Sequence, residues 1–246
     1  MRAVSCLLLL VAVAHLSEAS IYDIRADVER YAVLRTMTSR LRNFLEDLKG
    51  YMKTGNDKLG IPKMDPFETK FQKIDLKKHD LVLKGNVSEV HVEGLSDYKV
   101  FDVDFKIGQK NLTIGMKWPR IHGTTKYSVD ASYSEKVSIY GTGDVSFDIR
   151  DLEFYSQIQF QKAKDVKIIG LVKTRVKLGA LKLNLTGLFN DDELSGLVSE
   201  AVSDVLPETI DEYQAETVAL VNELLMEEGN KLVQGTTWTE IINKLG

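Results

Sequence analysis

The segment Phe101-Asp-Val-Asp-Phe-Lys-Ile107 and the nearby segment Leu112-Thr-Ile-Gly-Met-Lys-Trp118 decide the fold class. In both segments every second residue is apolar, and the residues between them are charged, polar or glycine. Successive side chains of a β-strand point to opposite faces, so this period of two predicts strands with one buried and one solvated face. Such strands are typical of antiparallel sheets.

The same period continues on both sides of these segments. It predicts about eight strands, which lie at residues 90–92, 101–107, 112–118, 127–133, 145–149, 158–160, 172–178 and 181–185. Glycines and polar pairs between the apolar runs predict turns. Among them, Gly141-Thr-Gly143 is interpreted as a hairpin turn.

Helical patterns flank the strands. From Ile21 to about Met52, apolar residues recur three or four apart and the other face mixes acids with bases, which favours a core-facing helix over a membrane-surface helix. After the strands, Asn190-Asp-Asp-Glu193 predicts a helix cap followed by a capping-box acid. Pro207 is expected to interrupt or kink the helix that follows, and Gly229 to end it. This order predicts one α+β domain with a curved antiparallel sheet wrapped on the helices.

Residues 1–19 have the pattern of a secretory signal peptide. Met1-Arg2 gives a positive start, residues 3–14 form an apolar run, and small residues follow at the cleavage positions. The alternative, a membrane anchor, would need about 20 apolar residues. We therefore expect a secreted, extracellular domain of residues 20–246. Three sequons agree with this route and are candidate glycosylation sites: Asn86, Asn111 and Asn184.

Composition and charge exclude several classes of function. With 32 basic and 36 acidic residues, the chain lacks the basic excess by which nucleic-acid-binding proteins displace counterions. The charge is nevertheless uneven, because no lysine or arginine lies between Lys182 and Lys231. A basic stripe precedes this acidic region, and it is either a solvated outer sheet face or a contact surface for anionic lipid head groups. The stripe consists of Lys162, Lys164, Lys167, Lys173, Arg175, Lys177 and Lys182.

No pattern in the sequence indicates catalysis. The sole cysteine, Cys6, lies in the predicted signal peptide, and the three histidines beyond that peptide do not have the spacing of a zinc site. A Gly-x-Ser-x-Gly nucleophile motif is absent. We therefore expect neither an enzyme nor a metal or cofactor site. The many large apolar side chains form either an ordinary packed core or a tunnel for an apolar ligand.

Three segments resemble a known family, the insect juvenile-hormone-binding and takeout proteins. They are Leu59-Gly-Ile-Pro-Lys-Met-Asp-Pro66, Gly94-Leu-Ser-Asp-Tyr-Lys-Val100 and Gly187-Leu-Phe-Asn-Asp-Asp-Glu-Leu194. Members of that family usually carry a cysteine pair near the mature N-terminus, which this chain lacks; in this respect it is similar to the mite group 7 allergens. Both groups have the tubular lipid-binding fold, in which a highly curved sheet wraps a long C-terminal helix around an apolar tunnel.

The resemblance implies a secreted carrier of a lipophilic small molecule, such as a juvenile-hormone-like terpenoid or a fatty acid. The alternative is an allergen-like interaction protein that contacts a lipid membrane or a protein partner through its surface. The oligomeric state stays open. The candidate residues of the tunnel wall are Leu41, Phe44, Leu48, Phe101, Val103, Phe105, Ile114, Met116, Trp118, Leu197, Val198, Leu220 and Leu224.

Overall fold

The computed structural model describes residues 37–57, 60–78, 81–106, 109–133, 137–163 and 166–233. Within these ranges, helix α1 occupies residues 37–54, in agreement with the second half of the predicted N-terminal helix. The predicted signal peptide and the first half of that helix lie outside the described residues.

Seven strands in the described ranges form one antiparallel sheet, and two further helices follow them. The sheet has the order β1-β2-β4-β5-β6, with β3 paired to β4 and β7 paired to β5. The strands are β1 (Phe67–Lys78), β2 (Leu81–Glu93), β3 (Lys99–Lys106), β4 (Asn111–Tyr133), β5 (Val137–Ala163), β6 (Val166–Lys177) and β7 (Ala180–Leu185). The helices are α2 (Asp192–Glu212) and α3 (Gln214–Val233).

The two longest strands, β4 and β5, pair with each other along the whole of β4. Each of them also has two further neighbours, one at each end. Strand β4 pairs with β3 over residues 111–117 and with β2 over residues 122–133. Strand β5 pairs with β7 over residues 145–150 and with β6 over residues 153–163. The β4–β5 ribbon therefore joins two halves of the sheet, β3-β4-β5-β6 and β1-β2-β4-β5-β7.

A pairing defect separates these halves and explains a difference from the predicted strands. On β4 the apolar positions are even up to Trp118 and odd from Ile121 onward, and on β5 they change in the same way beside Asp151. Between the two runs Pro119, which has no N–H group, lies opposite Asp151, whose φ is 51°. The period of two predicts separate strands at 112–118 and 127–133, and at 145–149 and 158–160. The structure joins the first pair in β4 and the second pair in β5, because the pairing register of β4 with β5 is the same before and after the defect.

The interpretation of Gly141-Thr-Gly143 as a hairpin turn is wrong, because these residues lie inside β5. Residues that follow β7 cross β5 at this point, and the Thr186 N–H donates to the Asp144 carbonyl at 3.0 Å. A Cβ atom on Gly143 would lie 2.1 Å from the Thr186 carbonyl oxygen. Gly141 also has a φ of 155°, in the region that favours glycine. The glycines therefore permit close approach of two backbones and do not form a turn.

Strand β1 is not among the predicted strands. It lies at the edge of the sheet, and its sequence, FETKFQKIDLKK, does not alternate regularly. Two of its aromatic residues, Phe67 and Phe71, are exposed. Because an edge strand with a weakly buried face has little apolar pattern, the backbone pairing with β2 alone identifies it.

The C-terminal helices differ from the predicted ones in where they break. The helix cap predicted at residues 190–193 lies at Asp191, whose side chain accepts a hydrogen bond from the Leu194 N–H at 3.0 Å. Helix α2 continues through Pro207, and the break comes at Tyr213. Gly229 lies inside α3, which continues to Val233, so the expectation that this glycine ends the helix is wrong.

Helix α2 covers the free edge of β7 with serine side chains. Strand β7 pairs with β5 on one side only, so N–H groups on its other side need acceptors. The hydroxyl oxygens of Ser195, Ser199 and Ser203 accept hydrogen bonds from the N–H groups of Leu188, Leu185 and Leu183, at 2.8, 2.9 and 2.9 Å. Each hydroxyl also donates to a carbonyl one turn earlier in the chain. The serines thus fix α2 to the edge of the sheet.

The buried carboxylate of Asp65 joins the segment before β1 to the loop between β2 and β3. It accepts hydrogen bonds from the N–H groups of Gly94 and Ser96 at 3.0 and 2.8 Å, and from the Ser96 hydroxyl. Burial opposes the charge of this carboxylate, but these hydrogen bonds and the nearby Lys53 outweigh it and lower its pKa. The first two segments of the family resemblance are therefore in direct contact.

We expect Asp65→Asn to lower the free energy of unfolding by about 2 kcal/mol at neutral pH, because an amide nitrogen would replace either the oxygen that accepts from the Gly94 N–H or the oxygen that accepts from the Ser96 N–H and hydroxyl. A carboxylate with a lowered pKa stabilises the fold above its ordinary pKa, and this stabilisation is lost as the pH falls through the lowered value. The difference between the two proteins should therefore shrink below about pH 4 in urea unfolding. Asp75→Asn, at an exposed acid of β1, is the control. Equal stability of both variants at pH 7 would contradict the assignment.

We expect Ser199→Ala to destabilise the protein by about 2 kcal/mol, because the Leu185 N–H loses its acceptor beneath α2. Hydrogen exchange of the Leu185 amide should become faster than in the wild type. Glu200→Ala, at the exposed neighbouring residue, should change neither quantity. Unchanged exchange in Ser199→Ala would show that the serine is not needed at this edge.

Candidate functional site

Helix α1 packs with an apolar face on strands β3 and β4. Leu41 and Leu45 lie one turn apart on this helix and are buried against Val103 of β3. Partly buried residues complete this first cluster: Leu48, Val100, Leu112 and Ile114. The even positions of β4 thus face the helix, as the alternation at 112–118 predicts.

A second cluster continues the first one toward β6 and α3. Its buried residues are Met37, Phe105, Phe160 and Val172, which come from α1, β3, β5 and β6. The partly buried residues packed against them are Leu112, Ile158, Leu225 and Met226. Leu112 belongs to both clusters, so they form one continuous apolar surface. We call the two clusters together the inner seam.

The pairing register of the sheet places these side chains in one row. Phe105 pairs with Leu112, Leu112 with Ile158, and Ile158 with Val172. Residues paired across neighbouring strands point to the same face of the sheet. The row therefore crosses four strands, and α1 and α3 cover it from the same side.

Polar contacts fasten α1 and the β2–β3 loop at the border of the seam. The Tyr98 hydroxyl donates to the Leu45 carbonyl at 2.5 Å, and the Phe105 N–H donates to the Thr38 hydroxyl at 3.2 Å. Burial, with a smaller contribution from Glu46, raises the pKa of Tyr98 to about 12. The Trp118 indole N–H donates to the Leu95 carbonyl at 2.8 Å. The first two contacts hold α1 against the sheet, and the third holds the β2–β3 loop against β4.

The structure brings together part of the predicted tunnel wall. The predicted residues that lie in the inner seam are Leu41, Leu48, Val103, Phe105 and Ile114. The predicted residues that are half-buried outside the two clusters are Phe44, Met116, Trp118 and Val198. Helix α3 includes Leu220 and Leu224, whose side chains lie outside the described part of the chain.

Two predicted wall residues lie elsewhere. Phe101 is 50% exposed and its ring covers Gly115, at an odd position of β4, so it faces away from the seam. An irregularity in the β3–β4 pairing between Val100 and Asp102 causes this change of face. Leu197 is 59% exposed, because α2 turns its serines toward the sheet and not its leucines.

Several residues of the seam are absent from the predicted wall: Met37, Leu45, Leu112, Ile158, Phe160, Val172, Leu225 and Met226. Two signals could have found some of them. Met37 and Leu45 lie one turn on either side of Leu41, and Leu112 has the same alternation as Ile114. The membership of the others in the seam depends on which strands and helices become neighbours, and the alternation of apolar residues does not indicate this.

The opposite face of the sheet carries a charged groove of about 440 Å³, lined among others by His91, Glu93, Arg120, His122 and Lys182. Glu93 contacts the Nε2 atoms of His91 and His122 at 3.0 and 2.9 Å, and Glu68 contacts His91 Nδ1 at 3.1 Å. Hydrogen bonds to Glu93 and Glu68 raise the pKa of His91. In the described ranges no group of three or more His, Cys, Asp or Glu is arranged to hold a metal ion.

The predicted glycosylation sites and the described part of the basic stripe lie on strands. Asn184 is exposed on β7 beside the charged groove, whereas Asn86 and Asn111 are half-buried on β2 and β4. The part of the basic stripe whose side chains are described is exposed on β6, at Lys173, Arg175 and Lys177, and continues to Lys182 on β7. Among the described residues, no helix is both long and apolar enough to cross a bilayer.

Comparisons with known proteins agree with this architecture. Residues 6–243 match the sequence model of the family described as haemolymph juvenile hormone binding protein. The crystal structure of Takeout 1 from Epiphyas postvittana is similar, with a TM-score of 0.55 and 16% identity over 83% of this chain and 93% of that chain. No curated protein matches the sequence at a significant level. The resemblance to the juvenile-hormone-binding and takeout proteins and the predicted tubular α+β fold are thereby confirmed.

We expect Leu41→Ala to lower the free energy of unfolding by about 3 kcal/mol, because it leaves a cavity between α1 and β3. The same change at Leu197, which is 59% exposed, should cost less than about 0.5 kcal/mol. Chemical denaturation of the two variants measures this difference. Similar losses at both positions would mean that Leu41 is not part of a packed cluster.

Proposed function

Because the chain belongs to the haemolymph juvenile hormone binding protein family, we propose that it is a secreted carrier that holds a lipophilic small molecule against the inner seam. The observation that carries this proposal is the seam itself, a continuous apolar surface between α1, α3 and four strands. The family's description, which refers to haemolymph, supports secretion. The predicted signal peptide of residues 1–19 is consistent with it.

The binding mechanism is desolvation of the ligand. Burying about 300 Å² of apolar ligand surface at roughly 25 cal/mol/Å² contributes around 7–8 kcal/mol before the costs of binding are subtracted. Such a gain corresponds to micromolar affinity at best. Because this force has no direction, it favours apolar molecules as a class, such as terpenoids and fatty acyl chains.

The wall residues that we assign to this site are those that the structure brings into the seam. Leu41 and Leu48 would contact the ligand from α1, and Val103, Phe105 and Ile114 from the sheet. Leu225 and Met226 on α3 close the same surface from the C-terminal side. No residue in this set ionises, so we expect binding to be insensitive to salt.

The proposal predicts that protein secreted by a eukaryotic host carries lipid that is detected by native mass spectrometry or solvent extraction. The protein should also bind the apolar dye N-phenyl-1-naphthylamine with micromolar affinity. Leu48→Trp fills space at the partly buried edge of the seam and should remove about 50 Å² of ligand contact, which weakens binding about tenfold. Leu197→Trp, at an exposed position, is the matched control and should bind as the wild type does.

Absence of both co-purifying lipid and dye binding would overturn the carrier function. Sedimentation with anionic vesicles at low and high salt tests the alternative in the same preparation. Strong, salt-sensitive sedimentation without dye binding would favour surface contact through Lys173, Arg175 and Lys177, because screening weakens exposed charges.

A further inference from the structure

Helix α3 places one polar side chain on the face that covers the inner seam. Val218, Asn222, Leu225 and Met226 have the spacing i, i+4, i+7 and i+8, so they share one face of the helix. Val218 is 6% exposed, and Leu225 and Met226 pack against the cluster around Phe105. Asn222 is therefore an amide within an otherwise apolar face.

The side-chain oxygen of Asn222 is buried and accepts no hydrogen bond from the residues that the structure describes. A buried acceptor without a partner destabilises a protein, because it loses its hydrogen bonds to water and gains nothing in return. Folded proteins contain few such atoms, and each one calls for a specific reason.

Two other polar side chains, Ser156 on β5 and Gln214 on α3, have partners. Ser156, which pairs with Ile114 in the sheet, has its hydroxyl 3.1 Å from that of Thr174. Gln214, at the start of α3, accepts from the Val176 N–H at 3.2 Å and donates to the Ile210 carbonyl at 2.8 Å. The packing thus satisfies amides and hydroxyls nearby, and Asn222 differs from them.

A second unpartnered oxygen belongs to Asn111 and has a different setting. Asn111 is the first residue of β4, at an odd position. Odd positions of this half of β4 face away from the seam, as Phe101 over Gly115 shows. Of these two asparagines, only Asn222 lies on a helix face that covers the seam.

We propose that Asn222 Oδ1 is the polar anchor of the ligand and accepts a hydrogen bond from a hydroxyl group on an otherwise apolar molecule. This inference rests on the proposed carrier function and names its ligand class: a long-chain alcohol or a hydroxylated terpenoid. The apolar body of the ligand supplies the affinity, and the hydrogen bond fixes its orientation. Oδ1 is the buried atom of the amide; in this orientation esters and ethers, which offer acceptors only, have no partner there, and a carboxylate would bring a negative charge against the amide oxygen.

The test compares two ligands that differ in one hydrogen-bond donor, hexadecanol and methyl hexadecyl ether, as competitors of the dye. The wild type should bind the alcohol about tenfold more tightly than the ether, as expected for one buried hydrogen bond. Asn222→Leu should reduce this preference to less than about twofold and leave ether binding unchanged. Asn222→Ala is the second variant, for the case that leucine disturbs packing.

Gln157→Leu is the matched control, because it makes the same change of amide to leucine at an exposed position of β5. It should retain the preference for the alcohol. Equal binding of both ligands by the wild type, or an unchanged preference in both Asn222 variants, would overturn the assignment of the anchor while the carrier function stands. If the dye binds but neither ligand displaces it, the anchor fails for this ligand class; the carrier function fails only if the protein neither binds the dye nor carries lipid.

Discussion

The continuous pairing of β4 with β5 is the constraint on which the other parts of this structure depend. Each of these strands is long enough to have two further neighbours, and each has one neighbour on either side of a single defect. Pro119 removes a hydrogen-bond donor there, and Asp151 adopts a left-handed φ. The apolar residues of β4 stand at even positions before this defect and at odd positions after it, while the pairing of β4 with β5 keeps one register. One sheet can therefore present apolar side chains to different helices along its length.

The inner seam follows from this pairing. The register brings Leu112 between Phe105 and Ile158, so that side chains distant in sequence form one apolar row. Burial of apolar surface has no directional preference, so polar contacts must fix where the helices lie. Tyr98 fastens α1, and the serines of α2 close the edge of β7. Both contacts engage backbone atoms, so the polar groups that make them have partners, whereas the buried oxygen of Asn222 on α3 has none among the described residues.

The sequence predicts the site where local periodicity and the tertiary neighbours agree. Val103, Phe105 and Ile114 alternate on regular strands, and Leu41 lies on a regular helix, so their buried faces were predictable. Phe101 has the same alternation but lies within a pairing irregularity, between Val100 and Asp102, that turns it to the opposite face. Leu197 has helical spacing, yet α2 meets the sheet through small hydroxyl side chains that bond the edge of β7. Hydrophobicity alone does not reveal a helix face that is selected by hydrogen bonding.

The sequence by itself determined the local structure: the strand periods, the helix cap within residues 190–193, the amphipathic α1 and the three segments that indicated the family. These features depend on residues that are close in the chain. The tertiary structure decided that predicted pairs of strands are single strands, that Gly141 and Gly143 permit a backbone crossing, and that Asp65 joins two of the family segments. It also decided which apolar rows meet in the inner seam. The physical reason is that strand register and buried hydrogen bonds join residues far apart in sequence, and no local pattern records which partner each of them will have.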